Sequence, residues 1–127
     1  IAILQSDLSN LISDATYPVG GLLHPRVYGT FPRVLESYVR ERHVLTLPEA
    51  VHKMTRLPAD RLGLARKGRI EVGAEADLCL FDPAAIHERG TWQDPEQLAA
   101  GMDYVFVAGV PAIAEGRFTG SRNGEVL

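Results

Sequence analysis

From Thr30 the apolar residues Phe31, Val34, Leu35, Tyr38 and Val39 recur at i, i+3, i+4, i+7 and i+8, the spacing of one face of an α-helix. Thr30 suits its cap and Pro32 its first turn. A second helix opens at Thr46-Leu47-Pro48-Glu49, where the hydroxyl and the carboxylate can satisfy each other's free backbone N–H groups as a capping box. Leu47, Ala50, Val51 and Met54 form its expected buried stripe, which leaves His52 and Lys53 on the solvated face. A shorter helical turn from Pro58 to Leu62 is stopped by Gly63. Ahead of these helices, Leu11 and Ile12 read as a short strand that ends at Ser13-Asp14 and feeds a Pro- and Gly-rich loop from Pro18 to Pro25.

Beyond Gly68 the period changes. Ile70 and Val72 alternate with polar residues, and a turn at Gly73 to Ala76 leads into Asp77-Leu78-Cys79-Leu80-Phe81-Asp82, so a small strand pair is expected. Cys79 then behaves as a small buried hydrophobe. After a polar excursion through Trp92 and Pro95, Tyr104 to Val107 and Val110 to Ala114 form a hairpin around Ala108-Gly109. The change of period divides the chain into a mainly helical unit, 1–67, and a strand-rich unit, 68–127.

Composition narrows the class. With 46% apolar and 23% charged residues among 127, the chain has the balance of a soluble globular segment. A formal charge of -3 with interspersed signs provides no basic stripe, which argues against nucleic acid as a partner. No apolar run approaches the roughly 20 residues that cross a bilayer, so no membrane is expected either. A single cysteine forms no internal disulfide, and a reducing cytoplasm is the default. The first residues lack Met, a basic region and a long apolar run, so a segment of a longer protein is expected.

Three stretches carry a resemblance. Ser13-Asp14 followed by His24-Pro25-Arg26-Val27-Tyr28-Gly29-Thr30-Phe31-Pro32-Arg33-Val34-Leu35 is similar to the N-acyl-D-amino-acid deacylase (D-aminoacylase) branch of the amidohydrolase superfamily. Ala50 to Thr55 with Pro58 to Leu64 resembles the helical pair that follows the last barrel strand in these enzymes. Gly68-Arg69-Ile70, Gly73, Ala76-Asp77-Leu78 and Phe81-Asp82-Pro83 resemble the return of the chain to a small β-domain, a feature shared with dihydroorotases, hydantoinases and ureases. Val105 to Gly109 and Gly116 to Leu127 agree with the closing strands.

The resemblance implies an α/β fold in which a (β/α)8 barrel carries a zinc site and is attached to a β-sandwich built from both chain ends. Residues 1–67 would supply the last barrel strand and its helices, and 68–127 the C-terminal share of the sandwich. Two positions depart from the pattern: Ala15 stands where Gly is usual, and Ala108 where Asn is common. Ala tolerates the left-handed conformation poorly.

The same resemblance assigns the chemistry. Asp14, as the final-strand carboxylate, becomes the general acid/base of zinc-dependent amide hydrolysis and a metal ligand as well; read from the residues alone, Ser13-Asp14 caps a turn. His24 and Arg26 are candidates for substrate binding, because a guanidinium pairs with a substrate carboxylate in a bidentate way. Arg33 is the weaker candidate, with pairing to Glu36 as its plainer role. A catalytic zinc takes about three protein ligands, and His24, His43, His52 and His87 are scattered without ligand spacing. The other ligands are therefore expected on a missing N-terminal barrel portion, and this chain alone is expected to bind no zinc and to be inactive. The implied substrate is a small N-acyl-D-amino acid. Two alternatives stand beside it: a cyclic-amide hydrolase of hydantoinase or dihydroorotase type, and a structural or assembly module that self-associates through uncovered apolar surface.

Overall fold

The computed structural model describes residues 1–16 and 21–126. Short helices come first and an antiparallel sheet last. Helix α1 is Ala2–Gln5, α2 is Arg26–Arg33, α3 is Leu47–Met54 and α4 is Arg56–Arg61. Strands β1 (Leu78–Phe81), β2 (Met102–Val107), β3 (Val110–Ala114) and β4 (Arg117–Phe118) lie side by side in chain order, each antiparallel to the next.

The capping box at Thr46 forms as expected. Thr46 N–H donates to Glu49 Oε2 at 2.7 Å, and Glu49 N–H donates to Thr46 Oγ1 at 3.4 Å. The preceding helix starts earlier than its apolar spacing predicts. Pro25, not Thr30, is its N-cap, and Thr30 lies inside α2 with its hydroxyl donating to Arg26 O at 2.8 Å. Pro32 is likewise interior, where its ring removes the N–H that would bond Tyr28 O. Directly afterwards the chain widens into a π-helix, Val34–Glu41.

The core unites both halves of the chain. Val34, Leu35, Leu45 and Ala50 pack with fully buried Ile86, and Phe81, Ala99 and Met102 pack against them from the strand side. Helix α3 is turned further than its apolar stripe suggests, for Val51 is exposed while Lys53 is only 5% exposed. Lys53 escapes the expected solvated face because its Nζ donates to Ser6 O at 2.5 Å and Ser9 O at 3.1 Å. Burial of the ammonium is tolerated because these acceptors replace its water. His52 is exposed, as expected.

Three strand expectations are corrected. Leu11 and Ile12 form no strand; Leu11 N–H donates instead to Lys53 O at 3.0 Å, since a barrel strand needs parallel neighbours to pair with. Ile70 and Val72 pair with nothing among the described residues and are exposed, so β1 takes β2 as its partner. Cys79 is exposed rather than buried, because β1 lies at the sheet edge with three of its four residues open. The hairpin is present, with Ala108 (φ 50°) and Gly109 (φ 77°) both left-handed, the geometry of a type I′ turn. Among the described residues no helix is long and apolar enough to cross a membrane. The loop expected from Pro18 to Pro25 lies partly outside the described residues.

Candidate active-site cleft

Asp14, His24 and Arg26 come together. Arg26 Nη2 lies 3.2 Å from Asp14 Oδ2, and Arg26 N–H donates to His24 Nδ1 at 3.0 Å. Nδ1 therefore accepts, which places the proton of a neutral ring on Nε2. Asp14 is open to solvent, with 71% of its side chain exposed, and takes φ 48°. The left-handed residue is thus the aspartate itself and not Ala15; Asp tolerates that region better than most residues.

His24 and Arg26 form one side of a cleft of about 310 Å³ whose other side is Glu88 to Trp92. The His24 ring meets Trp92 edge to face at 4.6 Å between centroids. Arg26 Nε is buried with no hydrogen-bond partner among the described residues. Arg33 does not pair with Glu36. It reaches across to Glu88, Nη1 to Oε2 at 3.2 Å, because Glu36 is taken by other partners.

Glu36 is the fastening point of the far wall. Its Oε2 accepts Glu88 N–H at 2.9 Å, its Oε1 contacts His87 Nδ1, and Arg40 Nη2 approaches at 3.5 Å. Burial pushes its carboxyl up, but the Glu88 N–H, His87 and Arg40 together outweigh this and hold it below the ordinary carboxylate value. Arg40 completes the fastening by donating to Ile86 O at 2.6 Å and Pro83 O at 3.2 Å. Glu88 in turn lies directly over Gly29 of α2, where a Cβ would stand 2.2 Å from its Oε1.

Glu88 and Trp92 were not legible as cleft residues in the sequence, since more than fifty positions separate them from the loop they face. Among the described residues no three His, Cys, Asp or Glu side chains lie close enough to hold a metal ion. Asp14 is a lone carboxylate facing a guanidinium, and the described residues do not by themselves fit a metal centre.

Residues 10–113 match the model of the amidohydrolase family, and the chain belongs to that family. Within it the likeness is to the D-aminoacylases. The D-aminoacylase of Alcaligenes xylosoxydans xylosoxydans is 47% identical over 104 residues, covering 82% of this chain and 22% of that protein. An Asp-to-Ala mutant of D-aminoacylase in complex with copper chloride superposes with a TM-score of 0.78 at 44% identity, over 83% of this chain and 22% of that one. The N-acyl-D-glutamate deacylase of Bordetella bronchiseptica, complexed with zinc and a phosphonate that mimics the tetrahedral intermediate, gives 0.69 at 42% identity over 75% and 21%. The chain thus spans about a fifth of the length of the relatives it matches.

Proposed function

We propose that the protein containing this chain hydrolyses the amide bond of N-acyl-D-amino acids, with Asp14 as the proton carrier and with Arg26 and His24 as the substrate-binding side of the site. The observation that carries the reading is that Arg26 joins the other two residues, pairing with Asp14 at 3.2 Å and donating its backbone N–H to His24, while Arg26 and His24 line one cleft. Relatives named for deacylation of D-amino acids support the substrate class. In the full architecture, residues 1–67 would close a (β/α)8 barrel and 68–127 would join a β-sandwich. A zinc ion there would draw its remaining ligands from chain outside this one; when bound, such an ion supplies an acidified water and polarises the amide carbonyl.

The chemistry assigned to this chain is confined to its own groups. Open to solvent, Asp14 takes a proton from the attacking water and returns it to the departing nitrogen. Arg26 brings a fixed fork of donors to the substrate carboxylate, which exchanges with Asp14 as the partner of its Nη2. His24 holds the Arg26 backbone by accepting its N–H.

The test is steady-state hydrolysis of an N-acetyl-D-amino acid and its L enantiomer by the whole protein. Wild type should take the D form, and Asp14→Asn should lower kcat by about 100- to 10,000-fold. Normal turnover by Asp14→Asn would remove Asp14 from the mechanism.

A further inference from the structure

We propose that Trp92 is a positioning residue for the carboxylate anchor Arg26, acting through His24. The inference rests on the deacylase reading of the cleft and adds to it a residue from the strand-rich part of the chain. The contacts run in series. Trp92 meets the His24 ring edge to face at 4.6 Å and an interplanar angle of 71°. His24 Nδ1 accepts the Arg26 N–H at 3.0 Å, and this is the bond that sets how the first turn of α2 presents the guanidinium. If the imidazole turns about its side-chain bonds, Nδ1 leaves the amide, and Trp92, set against the ring, opposes that turn.

Trp92 is 66% exposed and outside the hydrophobic core. What holds it there is the wall it stands on. Residues 83–88 are fastened to the π-helix by Arg40 and Glu36, and Glu88 is seated over Gly29, one turn along the same helix that begins with Arg26. Residues 83–88 and the first turn of α2 are thereby held in register, and the aromatic contact lies four residues further along the same wall. Edge-to-face pairs contribute beyond the area they bury, so loss of the ring loosens Arg26 without opening a core cavity.

The experiment is steady-state kinetics of the whole protein on N-acetyl-D-leucine, with the unfolding transition of each variant measured alongside. Trp92→Ala should raise KM about three- to tenfold and leave kcat within about twofold, the mark of lost ground-state binding. Trp92→Phe, which keeps a ring edge, should restore KM. Trp92→Leu, which keeps apolar bulk alone, should behave like Trp92→Ala and so separates a ring contact from general packing. Because the effect passes through His24, the double variant Trp92→Ala/His24→Ala should be no worse than His24→Ala. An unchanged KM, a fall in kcat alone, or additive costs in the double variant would overturn the proposal. A wild-type protein inactive on every N-acyl-D-amino acid would instead overturn the deacylase reading beneath it.

Discussion

Glu36 Oε2 accepts the backbone N–H of Glu88 at 2.9 Å across a sequence separation of 52 residues. One carboxylate of the π-helix thereby places the strand-rich part of the chain over α2. With 13% of its side chain exposed, Glu36 also serves His87 and Arg40, so its removal leaves several donors without their acceptor.

Glu36→Gln should therefore cost about 1–3 kcal/mol of stability, since hydrogen bonds to a charged group are among the stronger ones. Urea unfolding reads this directly. A change below about 0.5 kcal/mol would mean that the far wall is held by packing of Ile86 alone.

Acid should loosen the same contacts. The Asp77 carboxyl is held below its ordinary value by the Ala108 N–H and Lys67, and Glu36 is held down by its partners against burial. A depressed folded pKa means that the stabilisation is complete above the unfolded value, about 4, and is lost as pH falls through the lower folded values. The urea midpoint should be flat from about pH 5 to 7 and fall below about pH 4. Asp77→Asn should make that fall shallower; an identical acid slope would assign it to other carboxylates.

The hairpin offers a stabilising change. Ala108 sits at φ 50°, held by its N–H donating to Asp77 Oδ1 at 2.9 Å, while Gly109 N–H donates to Ala76 O at 3.0 Å. Ala108→Asn or Ala108→Gly should relieve the left-handed strain and add about 0.5–1 kcal/mol, visible as a Tm higher by a few degrees. A lower Tm for both would show that the turn is not under strain.

Lys53→Met keeps the bulk of the buried stem and removes the ammonium, leaving the Ser6 and Ser9 carbonyls without their donor. The expected cost is about 1–3 kcal/mol. Protease cutting within residues 6–14 should rise with it, since Lys53 O also receives the Leu11 N–H that holds the approach to Asp14. Unchanged stability and cutting would mean that the ammonium contributes nothing to that hold.

What could be read from the sequence was local. The capping box at Thr46, the stop at Gly63 and the Ala108-Gly109 hairpin depend on residues within a few positions of one another, so their types and spacing carry the information. The family, too, was legible, because Ser13-Asp14 and His24 to Leu35 form a dense run of specific residues. Contacts between distant parts of the chain decided the rest. Thr30 and Pro32 carry the signals of a helix start, yet the helix begins at Arg26 with Pro25 as its N-cap, so local propensity did not set the boundary. Lys53 reads as a surface lysine until the Ser6 and Ser9 carbonyls converge on it. Leu11 and Ile12 read as a strand, but a strand exists only beside another. The choice of Glu88 and Trp92 as a wall of the cleft has no local signature at all, because it follows from which surfaces meet when Ile86 is buried against Val34 and Leu35.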